Sequence, residues 1–194
     1  MLGALLEKDI TTPEYYPLTV NALQNACNQK SSRDPVVNYD EDSVLAALES
    51  LKDKHLAVRI TGAGHRVEKY GHRLGETLNL GRRELALLCV LMLRGPQTVG
   101  ELRGRTERMH GFGDLDEVER CLEGLAARHP EPLTAQAPRG RWVHLLGGVP
   151  AESPAPEPMH AAPARTELEE RIAVLEREVE ELKQQFGEFR KQFE

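Results

Sequence analysis

The 194-residue sequence predicts a mostly α-helical protein with small β-hairpins, in which one structural unit occurs twice and a coiled-coil helix follows. Three observations predict this organisation. Residues 19–23 (TVNAL) and 98–102 (TVGEL) match, and apolar positions further along each unit match at one constant offset. A Pro-rich segment comes after the second unit. Beyond it, apolar residues alternate spacings of four and three, which is the pattern of a heptad repeat.

Each unit begins with three predicted helices. The first is indicated by apolar residues at helical spacing. The second begins, in the second unit, with Thr98-x-x-Glu101, in which each side chain can satisfy the other residue's free backbone amide. The third is opened by acids, around Asp40 and Asp114, that suit a positive helix N-terminus. The first-helix positions are Leu2, Leu5, Leu6 and Ile10, then Leu85, Leu88, Leu91 and Met92; the third-helix positions are Val44, Leu48 and Leu51, then Val118, Leu122 and Leu125.

A hairpin is predicted after the third helix of both units, because strand-like runs flank a short turn there. Three helices and a terminal hairpin describe a winged helix, which is a variant of the helix-turn-helix. We therefore predict winged-helix domains over residues 1–70 and 82–146, with a connecting segment at 71–81. The predicted strands are residues 56–60 and 65–70 in the first unit and 133–137 and 141–146 in the second.

The C-terminal part of the sequence predicts a mobile linker and a dimerisation helix. Residues 147–164 are rich in Pro and Ala, a composition typical of extended linkers. Residues 165–194 carry the heptads, and β-branched a positions with Leu at d favour a parallel dimer. A helix folded back onto its own domain is the alternative. The predicted seam consists of Leu168, Ile172, Leu175, Val179, Leu182, Phe186 and Phe189.

Composition and spacing argue against several classes of protein. The net charge is −6 and no domain is strongly basic, so the usual electrostatic footprint of a nucleic-acid binder is absent. The longest apolar run, residues 85–93, is far shorter than the roughly 20 residues that cross a bilayer. Three distant cysteines and scattered histidines predict neither a disulfide framework nor a metal site. We expect a cytoplasmic, non-catalytic protein without a cofactor and without a membrane partner.

Two motifs carry a resemblance to a known family. Residues 5–36 (LLEKDITTPEYYPLTVNALQNACNQKSSRDPV) and residues 103–110 (RGRTERMH) resemble the YceH-like family of uncharacterised bacterial proteins. The resemblance covers residues 1 to about 146. It implies tandem winged helices, in agreement with the pattern of the residues themselves. It implies no assigned activity, ligand or catalytic residue.

Polar and basic side chains mark the junction between the second and third helices of each unit. Amides, hydroxyls and cations of this kind commonly make positioning contacts to phosphates. The alternative is that they only end a helix and turn the chain, satisfying free backbone groups. The hairpin turns add further cations. The candidate contacts are Asn25, Asn28, Gln29, Lys30, Ser32 and Arg33 in the first junction, Arg103, Arg105, Arg108 and His110 in the second, and Arg66, Arg139 and Arg141 in the hairpins.

The third helices favour a different function. A helix that enters the major groove lies between rows of phosphates, which repel carboxylates. The predicted solvent faces carry Glu41, Glu49, Lys52 and Asp53 in one unit and Asp116, Glu119, Arg120 and Glu123 in the other. The sequence therefore predicts an interaction or scaffold protein with an unidentified protein partner. A regulator that binds DNA through the junctions and hairpins is the rival hypothesis.

Overall fold

A computed structural model describes residues 1–61 and 67–147 of the protein. It confirms a mostly helical fold with small antiparallel sheets. The predicted coiled-coil seam and Arg66 lie outside the described residues. The first half contains α1 (Leu2–Thr11), a 3₁₀ helix (Pro13–Tyr15), α2 (Val20–Cys27), α3 (Glu41–Asp53), β1 (Ala57–Ile60) and β2 (Lys69–His72). The second half contains α4 (Leu74–Leu78), α5 (Arg82–Arg94), β3 (Gln97–Thr98), α6 (Val99–Thr106), α7 (Leu115–Ala126), β4 (Thr134–Ala137), a 3₁₀ turn (Pro138–Gly140) and β5 (Arg141–His144).

Side-chain caps begin the second and third helices where the sequence predicts them. Asp40 accepts a hydrogen bond from the Ser43 amide at 2.8 Å, at the start of α3. The predicted capping box of α6 is confirmed: Thr98 Oγ1 accepts from the Glu101 amide at 3.3 Å, and Glu101 accepts from the Thr98 amide at 2.9 Å. These bonds satisfy backbone donors that have no partner within the helix.

Both halves join the segment before their second helix to their last strand. In the first half, Leu18 and Tyr70 exchange backbone hydrogen bonds of 2.7 and 3.1 Å, and β1 pairs with the other side of β2. In the second half, β3 and β4 flank β5. Both hairpins are antiparallel, as predicted. The last strand of the first half runs from Lys69 to His72, two residues beyond the predicted end at residue 70, and its Tyr70 pairs with residues on both sides.

The two halves meet through helices α1 and α5, which pack against each other. Leu2 and Leu6 pack into a cluster with α5 and the second half, while Ala4 and Leu5 pack into the core of the first half. The helices approach so closely that a Cβ on Gly3 would lie 3.0 Å from Cβ of Met92. On α5 burial extends beyond the predicted apolar positions: every residue from 86 to 91 is buried, because α5 packs on elements of both halves. None of the helices in the described ranges is long and apolar enough to cross a membrane.

Candidate interaction surfaces

Arg33 differs most from the predicted contact residues, because its side chain is buried. Only 3% of that side chain is exposed, and it forms an ion pair of 2.6 Å with Glu7 of α1. The guanidinium also donates to the backbone oxygens of Ala26 and Ser32, at 2.7 and 2.8 Å. A buried cation needs such partners because removing its charge from water costs free energy. The position therefore argues against the predicted contact role of Arg33.

The remaining side chains of the first junction mostly hold the chain in place. Asn28 donates to the backbone oxygen of Tyr39 and accepts from its amide, both at 2.8 Å. Ser32 accepts from Arg94 at 2.9 Å, which ties the junction to α5. Gln29 donates to the Ser31 carbonyl at 3.0 Å. Asn25 donates to Asn21 at 2.8 Å but remains exposed, as does Lys30.

The second junction is also held by its arginines. Arg103 donates to the backbone oxygens of Phe112 and Gly113, at 3.3 and 2.9 Å. Arg105 donates to the side-chain oxygen of the buried Gln97 at 2.6 Å. His110 is half-buried against Phe112, with ring centroids 4.7 Å apart, and its Nε2 has no hydrogen-bond partner among the described residues. Arg108 is exposed.

The second hairpin carries one engaged cation and one exposed cation. Arg141 donates to the backbone oxygen of Pro96 at 2.8 Å and lies 3.2 Å from a carboxylate oxygen of Glu101. The Thr98 amide, with Arg141 and Arg105 nearby, holds the pKa of Glu101 below its usual value. Arg139 is exposed at the turn, where its φ of 64° lies in the left-handed region. The described part of the hairpins thus offers Arg139 as its freest cation.

The outward faces of the third helices carry the charges that the sequence predicts. Val44, Leu48 and their counterparts Val118 and Leu122 are fully buried, so these helices present their other sides to solvent. The exposed residues there are Glu41, Glu49 and Asp53 on α3 and Asp116, Glu119, Arg120 and Glu123 on α7; Lys52 is partly buried and pairs with Glu49 at 2.8 Å. Carboxylates outnumber cations on both faces.

The structure also brings together four basic side chains that sequence analysis does not group. Lys52, His55, Arg59 and Arg73 line one open cleft of about 310 Å³. They come from the end of α3, from β1 and from the residue after β2. No sequence spacing predicts this grouping, because the antiparallel pairing of β1 with β2 creates it.

Comparison with known proteins places the chain in a family. The model of the family described as "Protein of unknown function, DUF480" matches residues 1–141. The chain belongs to the DUF480 family. The resemblance stated from residues 5–36 and 103–110 is thereby confirmed. A UPF0502 protein of Opitutus terrae is 56% identical over 167 residues, covering 81% of this chain and 73% of the relative.

Other relatives match the DUF480 chain over its full length. A UPF0502 protein of Solibacter usitatus is 52% identical over 199 residues, covering 100% of this chain and 95% of the relative. One from Geobacter sulfurreducens is 49% identical over 212 residues, with the same two coverages. These matches extend beyond residue 141 into the region where the heptads are predicted.

The thiols of this DUF480 protein are poorly suited to nucleophilic chemistry. Burial raises the pKa of Cys121 to about 11, and it also raises the pKa of Cys27 and of Cys89. A thiol reacts as the thiolate, so a raised pKa lowers its reactivity at neutral pH. Within residues 1–61 and 67–147, no group of three or more His, Cys, Asp or Glu side chains is placed to hold a metal ion.

Proposed function

We propose that the chain is a non-catalytic tandem winged-helix protein that works as an interaction or scaffold module. The order of elements supports the winged-helix assignment in both halves. Three helices precede a hairpin, and the segment before the second helix pairs with the last strand through Leu18 in the first half and through β3 in the second. A winged helix of this topology presents its third helix to a partner.

The acidic surface of α3 and α7 is the observation that carries the proposal. Glu49 and Asp53 on α3, and Glu119 and Glu123 on α7, are exposed where a duplex would bring its phosphates. Like charges at short range oppose that approach, and no excess of cations on these helices offsets them. A protein surface is therefore the partner that suits these helices better.

The cations of the junctions support the same conclusion. Arg33 is buried in an ion pair, and Arg103 and Arg105 spend donors on backbone or side-chain oxygens of their own half. Arginines that bond to oxygens of their own half stabilise the fold rather than contact a partner. The exposed Lys30, Arg108 and Arg139 favour the rival hypothesis of a DNA-binding regulator, because each is placed on a junction or hairpin.

A salt titration with mixed-sequence duplex DNA separates the two hypotheses. We do not expect the protein to bind the duplex with an affinity that falls steeply as the salt concentration rises from about 50 to about 200 mM. A regulator would lose on the order of 10³-fold in affinity over that range, and the triple variant Lys30→Ala, Arg108→Ala, Arg139→Ala would reduce the slope. Replacement of the exposed Arg83 on α5 is the matched control. Steep binding that the triple variant alone weakens would reject the interaction-module proposal.

We also propose that the chain forms a parallel dimer through the predicted seam from Leu168 to Phe189. The a and d pattern of the heptads supports it. Sedimentation of the full chain and of a chain ending at residue 164 tests it. We expect the full chain to have twice the mass expected for one copy and the shorter chain to be monomeric. Equal association of both chains would reject the dimer seam.

A further inference from the structure

The basic cleft of the first half has an unusual lining for a chain of net charge −6. Lys52, His55, Arg59 and Arg73 surround a floor of Ala57 and Val58, and no carboxylate lines the cleft within the described part of the chain. Three consecutive residues of β1 therefore contact it. Since successive side chains of a strand point to opposite faces, a cleft that touches all three runs along the strand.

The strand that lines this cleft has an open edge. Tyr70 of β2 pairs with Arg59 on one side and with Leu18 on the other, so β1 is the outer strand. No described strand pairs with the outer side of β1. Its free amides and carbonyls can receive another strand, which is how extended peptides bind to many sheet edges. Ile60, at the end of β1, is 38% exposed and adds apolar surface beside that edge.

Three cations of the cleft are paired with glutamates that are exposed to solvent. Lys52 pairs with Glu49 at 2.8 Å, Arg59 with Glu68 at 2.9 Å and Arg73 with Glu76 at 2.7 Å. The three glutamate side chains are 52–71% exposed and do not line the cleft. Exposed pairs of this kind are weak because water screens both charges, so a ligand carboxylate can replace the glutamate at small cost.

His55, beside the same cleft, adopts a left-handed backbone conformation. It follows α3 with φ of 57°, and the amides of His55 and Leu56 bond to the carbonyls of Lys52 and Leu51 at 2.8 Å each. This is the helix ending in which glycine is preferred, because a side chain strains the left-handed conformation. The histidine side chain is exposed on the cleft.

We propose that the cleft and the outer edge of β1 bind an extended acidic segment of a partner protein by strand addition. Backbone bonds to β1 would align the segment, and alternate carboxylates would face Lys52, Arg59 and Arg73. The open edge favours a peptide, since a peptide backbone can pair with the amides and carbonyls of β1 and a nucleic-acid backbone cannot. The inference deepens the proposed interaction role and rests on it.

Peptide display on the full chain tests the inference. A library of random ten-residue peptides is selected on the wild-type protein and counter-selected on the double variant Arg59→Glu, Arg73→Glu. We expect selected peptides to carry carboxylates at alternate positions and no internal proline. The double variant should bind a selected, fluorescein-labelled peptide about tenfold or more weakly. The matched control Arg83→Glu, on α5, should bind it unchanged, whereas the single variant Arg59→Glu, with the same change of charge, should bind it more weakly.

Two further measurements separate strand addition from simple charge attraction. N-methylation of alternate peptide amides should weaken binding by about tenfold or more, because it removes backbone donors. The bound peptide should slow hydrogen exchange at amides of β1. Thermal melts show whether the double variant folds, and the single variants Arg59→Glu and Arg73→Glu should each bind the peptide less tightly than the wild type.

Several results would overturn the inference. The first is that the selected peptides carry no carboxylates. The second is that the double variant binds the peptide as tightly as the wild type. The third is that N-methylation of the peptide does not weaken binding. A short DNA duplex could bind the wild-type protein, fail to bind the double variant and displace the peptide. That result would assign the cleft to nucleic acid instead. If no peptide is selected and no DNA binds, the strand-addition inference is rejected but the interaction role stands. If DNA binds with a steep dependence on salt, the interaction role itself is rejected.

Discussion

The two connections between the second and third helices are held in place by different chemistry. In the first half, the connection buries Arg33 and neutralises it with Glu7 of α1. In the second half, the shorter connection buries Met109 and Phe112, which are 8% and 4% exposed. One half thus relies on a buried ion pair and the other on apolar packing. Position between a second and a third helix therefore does not dictate whether a connection is held by charge or by apolar contacts.

The second helices show the same contrast on the surface. Asn21 and Asn25 of α2 bond to each other across one turn, whereas the matching positions of α6 are Gly100 and Gly104. A Cβ at either glycine would meet nothing within 4 Å. These glycines therefore lower the helix propensity of α6 without a packing reason inside the described chain.

The largest expected effect comes from breaking the buried ion pair. Glu7→Ala leaves the guanidinium of Arg33 buried without its charge partner, and we expect a loss of about 3–5 kcal/mol in the free energy of unfolding. Urea denaturation followed by circular dichroism measures it. The double variant Glu7→Leu, Arg33→Met replaces the ion pair with apolar packing of the kind found in the second half. Its free energy of unfolding should fall far less. Similar losses in both variants would show that charge pairing is not what matters there.

A smaller effect is expected at the helix caps. Thr98→Ala removes a reciprocal capping box, so we expect a loss of about 1 kcal/mol. Thr19→Ala removes only the single bond that Thr19 accepts from the Ala22 amide at 3.2 Å, and it should cost less. The two variants are compared by the same denaturation assay. A larger loss for Thr19→Ala would contradict the ranking of the caps.

The smallest expected effect is a gain. Gly104→Ala should stabilise the protein by about 0.5–1 kcal/mol, because alanine restricts the unfolded chain and fits the open space. Asn25→Ala, the matched change in the first half, should alter stability by less, since it also removes the exposed bond to Asn21. Thermal unfolding checks both. Destabilisation by Gly104→Ala would mean that the space beside it is occupied.

The order of the elements could be predicted from sequence because it depends on local information. Apolar spacing fixes the core faces of α3 and α7, and the cap residues Asp40, Thr98 and Asp114 mark where helices begin. These signals lie within a few residues of the element that they specify. The same holds for the acidic faces, since the buried side of a helix determines which residues remain outside.

The features that could not be predicted depend on distant partners. Arg33 resembles an exposed junction residue until Glu7, 26 positions earlier, is placed beside it. Every residue of α5 from 86 to 91 is buried because the helix contacts both halves, and the apolar spacing within α5 does not predict this. The cleft around Arg59 and Arg73 exists only once β1 and β2 are paired. Long-range packing, rather than propensity, decides all three.

The double-sided packing of α1 has a consequence for how this chain can be divided. Leu5 packs into one core while Leu2 and Leu6 pack into the other, so either half produced alone would expose a leucine-rich seam to water. Neither half is therefore expected to fold alone. Fragments cut near residue 80 should aggregate unless co-expressed, and functional swaps between relatives need to carry both halves together.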